Sequence, residues 1–399
     1  MVYSENDNPT KPSEVIPDTP LEKLNLNWRE RDLPEKERTK HVHRLHPYLG
    51  KFIPQLVEIF LRKYFKQGQT VLDPFCGSGT TLVQANELAI NSIGYDISAF
   101  NILLTRVKLQ KYNLPKLRKE ILDILERVDS ATKRDRSQLK LWTQENIIYK
   151  ISEEDNNYLR AWYDHNALNE LLTYRHFIET EDYEYKDLLK IILSRSARSA
   201  RLTTHFDLDF PKQPQTEPYW CYKHSRKCFQ TTEAFKFLKR YSLDTIRRIK
   251  EFSLKRTDAV GKVYHANSRN VIFPPIDGVI TSPPYVGLID YHEQHAYAYH
   301  LLGLEDRRKN EIGPAVNGSS QKAQLQYQED LSEVFQHAKN SMPPGGRMIV
   351  VAADTKQLYG EIAKLVGVEV EAIIHRHVNR RTGRRSNEFY ESIFIWRKK

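Results

Sequence analysis

Two short stretches carry residue types at spacings that could do chemistry. The first is DPFCGSGTT, Asp73 to Thr81, in which Gly77 and Gly79 follow an acid. Glycines let the backbone turn sharply and let a ligand approach where a Cβ would otherwise stand. A second acid, Asp96, lies roughly twenty residues past that turn, the usual distance to a carboxylate that binds ribose hydroxyls. The second stretch is TSPPY, Thr281 to Tyr285. Its two prolines fix two φ angles and remove two N–H donors, leaving a rigid turn that offers carbonyl acceptors. Ser282 adds a hydroxyl, and Tyr285 adds a face on which a planar ring could stack. Each stretch alone is commonplace: many glycine turns only join a strand to a helix, and PPY occurs in many proline-rich loops. Paired, they suit a nucleotide-like ligand on one side and a flat ring on the other.

The elements that must position these residues are legible around them. Thr70 to Leu72 reads as a buried strand, Thr80 to Ala89 as a helix, and the run through Ile93 and Tyr95 as a second strand ending on Asp96. Asp73 and Asp96 then sit at the carboxyl ends of adjacent parallel strands, where open α/β sheets bind ligands. Upstream, Pro54 suits the first turn of a helix whose apolar face is Leu56, Ile59, Phe60 and Tyr64. Downstream, Asp277 to Thr281 is a short apolar strand that delivers Ser282. Between them the helical pattern runs through Asn101, Leu104, Val107 and Leu109, then continues in segments Leu117–Val128, Glu154–Trp162, Asn166–Ile178, Tyr185–Ser199 and Thr232–Phe252. Strand signals resume at Lys262. The expected layout is an α/β core of residues 23–110 and 260–399, split by a mainly helical insertion, 111–259. That insertion is far longer than an ordinary connection and so suits a separate task such as target recognition. Residues 1–22 are polar and proline-rich, and are expected to be disordered or loosely packed.

Composition narrows the setting. The 399 residues are 40% hydrophobic and 28% charged, with a formal net charge of +10 that favours an anionic partner. No apolar run reaches the roughly eighteen residues a membrane span needs, and no apolar signal core opens the chain, so a cytoplasmic protein is expected. Arg195, Arg198 and Arg201 recur at helical spacing, and suit either phosphate contacts or a solvated face. Arg380, Arg381, Arg384 and Arg385 flank a Thr-Gly turn and suit phosphate contacts better. Three cysteines make no disulfide framework. Cys76 reads as a small neutral spacer in the glycine turn. Cys221, His224 and Cys228 have loosely metal-like spacing, but a tetrahedral site wants four ligands and no clear fourth is nearby, so no metal is expected. His292 and His295 flank Glu293 one residue short of the zincin spacing, and suit either a pocket wall or a solvated face.

The pairing of DPFCGSGTT with TSPPY resembles the S-adenosylmethionine-dependent amino-methyltransferases of DNA, which modify N4 of cytosine or N6 of adenine. The resemblance implies a Rossmann-like methyltransferase sheet, mostly parallel with a closing antiparallel hairpin. It implies that Phe75, Gly77 and Gly79 hold the methionine part of the cofactor and Asp96 the ribose. Asp73, Pro74, Cys76, Thr80 and Ile97 of the same two motifs would complete that wall. HPYLGKF resembles the family's other cofactor motif, with Lys51 and Phe52 flanking the cofactor. The family's acidic adenine contact on the third strand falls here on Asn267, a departure. Ser282, Pro283, Pro284 and Tyr285 would be the catalytic element, and its serine form resembles the cytosine-N4 members. SMPPGGRMIVVAAD (341–354) and VNRRTGRRSNEFYESIFIW (378–396) resemble the strand and hairpin that close the fold. The implied partners are double-stranded DNA, S-adenosylmethionine and, in a restriction-modification or related defence system, a cognate restriction endonuclease. An adenine-N6 enzyme, an RNA base methyltransferase and a non-catalytic nucleic-acid-binding subunit are the alternatives.

Overall fold

A computed structural model describes residues 8–48, 52–133, 155–209, 211–285, 291–314, 318, 320–378 and 389–399. Lys51, Arg380, Arg381, Arg384 and Arg385 lie outside the described residues. The chain begins with α1 (Glu35–Arg38) and α2 (Pro54–Tyr64), then alternates β1 (Thr70–Asp73), α3 (Thr80–Glu87), β2 (Asn91–Asp96) and α4 (Ala99–Leu109). Next come α5 (Leu114–Lys133), α6 (Asn157–Trp162), α7 (His165–Thr180), α8 (Lys186–Ala200), β3 (Tyr219–Cys221), β4 (Arg226–Cys228) and α9 (Phe235–Ser253). The chain then returns through β5 (Gly261–His265), β6 (Gly278–Thr281), α10 (Tyr291–Gln294), α11 (Ala296–Leu302) and α12 (Gln321–Asn340). It ends with β7 (Arg347–Ala352), α13 (Tyr359–Val366), β8 (Glu369–Val378) and β9 (Phe389–Arg397).

Seven strands form one sheet in the order β5-β2-β1-β6-β7-β9-β8. The first five run parallel, while β9 is antiparallel to both β7 and β8. The sheet is therefore the mostly parallel, hairpin-closed α/β sheet that the motifs imply. Chain order reverses beside β1: β2 and β5 extend the sheet one way, and β6 returns to the other flank of β1. At such a switch point the carboxyl ends of the strands open a crevice. Strand alternation divides the two faces. Val71, Ile280, Ile349, Ile393 and Ile395 pack with Leu56, Ile59 and Phe60 of α2. Leu72, Val279, Val350, Phe394 and Trp396 pack with Leu331 and Phe335 of α12 and Ile362 of α13.

The insertion does not stand apart from this core. Leu104 of α4 belongs to the same apolar cluster as Leu117 and Ile121 of α5, Leu171 of α7, Ile192 of α8, Phe252 of α9 and Leu301 of α11. Among the described residues no helix is long and apolar enough to cross a membrane. Two expectations need correction. The described part of the lead packs on the core: Val15 is buried in the α2 core, and Lys63 Nζ donates to the carbonyls of Pro17 and Thr19. Leu21 packs on the same core and Trp28 Nε1 donates to the Thr10 carbonyl, so a polar stretch that composition alone reads as loose is fastened along its length. The stretch after α8, where strand signals were not expected before Lys262, contains the β3–β4 hairpin. Strands this short carry too few residues to show an alternating pattern.

Candidate active site

The crevice at the β1–β6 switch is a cleft with about 770 Å³ of space, part of it open to solvent. One wall is the turn after β1, with Pro74, Phe75, Cys76, Gly77, Ser78 and Thr80. Another is the end of β2, with Asp96, Ile97 and Ser98. Ala266, Asn267 and Ser268 come from the segment after β5, and Tyr48 and Phe52 from the segment before α2. Ser282 and Pro284 of the loop after β6 face into the same space. The two motifs, separated by the whole insertion, thus share one cleft.

The glycine turn is built by a dense set of bonds. Asp96 accepts from Gly77 N at 2.8 Å, from Ser98 N at 2.8 Å and from Asn101 Nδ2 at 3.1 Å. Burial nonetheless pushes its carboxyl above the usual range. The carbonyls of the turn are taken by α4: Thr105 Oγ1 donates to Gly77 O, and the buried Lys108 Nζ donates to Ser78 O at 2.5 Å. Gly79 adopts φ +75°, and a Cβ there would stand 2.7 Å from Thr105 Cγ2. At Gly77, φ is +48° and a Cβ would come within 3.1 Å of the Tyr48 hydroxyl. Burial and the two carboxylates raise the Cys76 thiol well above its ordinary value, so it stays neutral.

Asp73 does not line the cleft. It is buried beneath, accepting from Thr281 Oγ1 at 2.7 Å and from Phe75 N at 3.2 Å. This acid ties the end of β1 to the end of β6, and so fixes the glycine turn relative to Ser282. Burial raises its pKa to about 6.

The Ser-Pro-Pro-Tyr loop is held from behind. Tyr327 of α12 donates to the Pro284 carbonyl at 2.8 Å, and its hydroxyl also meets that of Tyr359 at 2.8 Å. Pro283 is buried, and Tyr285 is half-buried against the core between the sheet and α12. The Tyr285 hydroxyl reaches Glu391 of β9 at 3.5 Å, and Glu391 is paired in turn with Arg376 of β8 at 2.8 Å. Asn267 caps a short 3-10 turn by accepting from Arg269 N, and Ser268 Oγ donates to Pro74 O at 2.6 Å.

Other expected residues lie elsewhere. Arg195 and Arg198 do not face outward as phosphate contacts would. Arg195 is 7% exposed, bonds Asp244 at 2.9 Å and lies over the Tyr241 ring, while Arg198 pairs with Asp209. Asp244 lies on α9 and Asp209 in the loop after α8, and helical spacing within α8 reveals neither. His292 and His295 are buried outside the cleft. His292 holds Glu311, and His295 stacks on Phe100 and on Tyr48. Glu311, with Asn310 and Ile312, forms a further wall of the cleft that sequence reading missed. No local pattern marks that loop, whereas the Tyr48 contribution was within reach of the HPYLGKF motif.

A family model described as DNA methylase matches residues 2–106. The chain is 40% identical over 430 residues to the type II methyltransferase M.MjaII of Methanocaldococcus jannaschii, covering 91% of this chain and 81% of that protein. It is 26% identical over 310 residues to the type II methyltransferase M.BsoBI of Geobacillus stearothermophilus, covering 70% and 56%. A tRNA (guanine(10)-N2)-dimethyltransferase of M. jannaschii is 34% identical over 90 residues, which is 22% of this chain and 25% of that one. An identity of this degree, sustained across most of both M.MjaII and this chain, makes the chain a member of the DNA methylase family, the S-adenosylmethionine-dependent amino-methyltransferases of DNA.

Proposed function

We propose that the chain methylates the exocyclic N4 amine of cytosine in a base flipped out of duplex DNA, within a type II restriction-modification system. The carrying observation is that the glycine turn and the Ser282–Pro284 loop wall one cleft. The cleft suits S-adenosylmethionine on its own terms. It has a turn where a Cβ would collide, a carboxylate at the end of β2, and aromatic walls from Tyr48, Phe52 and Phe75. Phe75, Gly77 and Asp96 would hold that molecule, with Phe52, Pro74, Cys76, Thr80, Ile97 and Asn267 around it. Bound there, it supplies an electrophilic methyl group on a sulfonium.

The chain's own residues do the rest. An exocyclic amine is a weak nucleophile because its lone pair is delocalised into the ring. Ser282 Oγ and the Pro283 carbonyl accept the two amine hydrogens, which steers the nitrogen toward sp³ character and aims its lone pair. That is positioning and electrostatics, with no covalent intermediate. A base inside a duplex cannot reach the cleft, so it must be extruded, and Tyr285 offers the stacking face. The serine at the head of the motif favours cytosine N4 over adenine N6. The type II relatives favour a restriction-modification setting, with a cognate endonuclease as partner. The insertion is the target reader in this reading. Its β3–β4 hairpin exposes Trp220, Tyr222 and Phe229 beside Lys223, Arg226 and Lys227, a mixture suited to bases and phosphates.

Digestion of methylated duplex DNA to nucleosides, followed by mass spectrometry, tests the proposal. N4-methylcytosine is the expected product. N6-methyladenine would overturn the base assignment, and label transfer to tRNA alone would overturn the DNA substrate.

A further inference from the structure

The β3–β4 hairpin gathers four side chains that the chemistry above leaves unused. His205, Cys221, His224 and Cys228 each bring one ligand atom within 4.8 Å of all the others. Cys221 Sγ and Cys228 Sγ both stand 3.5 Å from His224 Nδ1. A tetrahedral zinc ion, with bonds of about 2.3 Å to sulfur and about 2.0 Å to nitrogen, sets its sulfur and nitrogen ligands roughly 3.5 Å apart. Hydrogen bonding does not account for this convergence, because one imidazole nitrogen offers a single lone pair or a single proton, not one for each thiol. A shared cation does. The His205 ring lies 4.7 Å from that of His224 at 78°, edge-on, so that the two rings converge without stacking.

The local fold presents the ligands as a knuckle. Cys228 pairs with Tyr219 and Cys221 with Arg226. Alternation then puts both thiols on one face of the hairpin. Both are buried although residues 222–227 between them are exposed. A two-stranded hairpin this short is marginal without a cross-link. Of the six strand residues only these two cysteines are buried.

We propose that His205, Cys221, His224 and Cys228 bind one zinc ion as a structural site. Two thiolates and two imidazoles select zinc over magnesium or calcium. Four protein ligands leave no open position, which separates a structural site from a catalytic one. On binding, the two thiols give up their protons to solvent. The ion would pin the hairpin to the loop after α8. That loop is itself anchored by the Arg198–Asp209 pair and by Arg201, which donates to Leu208 O at 2.7 Å and lies over the Tyr297 ring.

The full-length protein, purified under reducing conditions without chelator, is expected to carry one zinc per chain by elemental analysis. Replacement by cobalt(II) is expected to give the visible bands of a tetrahedral ion and thiolate charge-transfer absorption. Cys221→Ser and Cys228→Ser are each expected to diminish that charge-transfer absorption. Since a buried cysteine variant can misfold, His205→Gln at an exposed position is the second arm. It is expected to bind S-adenosylmethionine as the parent does, yet to release zinc to a chelator that the parent resists. Protein that takes up neither metal, a Cys221–Cys228 disulfide in its place, or unaltered zinc retention in His205→Gln would each overturn the assignment.

Discussion

Asp73 shows how a single buried side chain couples pH to the cleft. Its folded pKa of about 6 lies above the ordinary carboxylate value. The folded state therefore binds the proton more tightly than the unfolded chain does. The ionised form costs stability, and that cost grows as pH rises from about 4 to about 6 and is complete above that window. Asp73→Asn keeps an acceptor for Thr281 and removes the charge. It is expected to be more stable than the parent at pH 8, by at most roughly 3 kcal/mol, and equal to it near pH 3. Denaturant titrations at both pH values check this, and an unchanged difference between them would refute it. In the proposed chemistry Ser282 and Tyr285 act at the same scale but on rate. Ser282→Ala is expected to slow turnover by about a hundredfold or more, the usual penalty for removing one positioned polar group. Tyr285→Ala is expected to slow it too, through weaker stacking. Both should keep S-adenosylmethionine affinity by calorimetry, and a vanished cofactor signal in either would refute their roles. At this scale the sequence was most informative where backbone shape constrains residue type, as at Gly77 and Gly79. It was least informative where a charge finds its partner far along the chain. Arg195 meets Asp244 and His292 meets Glu311, and no spacing announces such meetings.

At the scale of elements, the Ser282–Tyr285 loop is braced by a helix that does not line the cleft. Tyr327 of α12 donates to the Pro284 carbonyl and meets Tyr359 of α13. Tyr327→Phe removes that donor with little change of shape. A neutral hydrogen bond contributes about 0.5–1.5 kcal/mol net, so kcat is expected to fall about two- to tenfold with KM for the cofactor unchanged. Steady-state kinetics decide it, and a raised cofactor KM with normal kcat would mean that α12 supports the other wall instead. The elements themselves were legible because their periods are strong. α2, α3, β2 and the five described helices of the insertion fall close to where apolar spacing puts them. The β3–β4 hairpin escaped notice since three-residue strands have no period to read, and with it went the convergence of His205 on the cysteines.

At the scale of the molecule, the charge of +10 acts with the shape of the insertion. If the β3–β4 hairpin lies against phosphates, neutralising Lys223, Arg226 and Lys227 together weakens duplex binding evenly across sequences. The log–log salt dependence should become shallower by about 0.9 for each phosphate that is no longer paired with a cation. Fluorescence anisotropy over a salt series reads the slope, and an unaltered slope would put the DNA against another surface. The insertion shares its apolar cluster with α4, and α4 supplies Thr105 and Lys108 to the glycine turn. Chain order adds a matter of timing. β9 is wedged between β7 and β8, and it brings Glu391 to the hydroxyl of Tyr285. Translation delivers segments from the amino terminus onward, so the residues that bond Asp96, all within 77–101, are made long before the Glu391 that braces Tyr285.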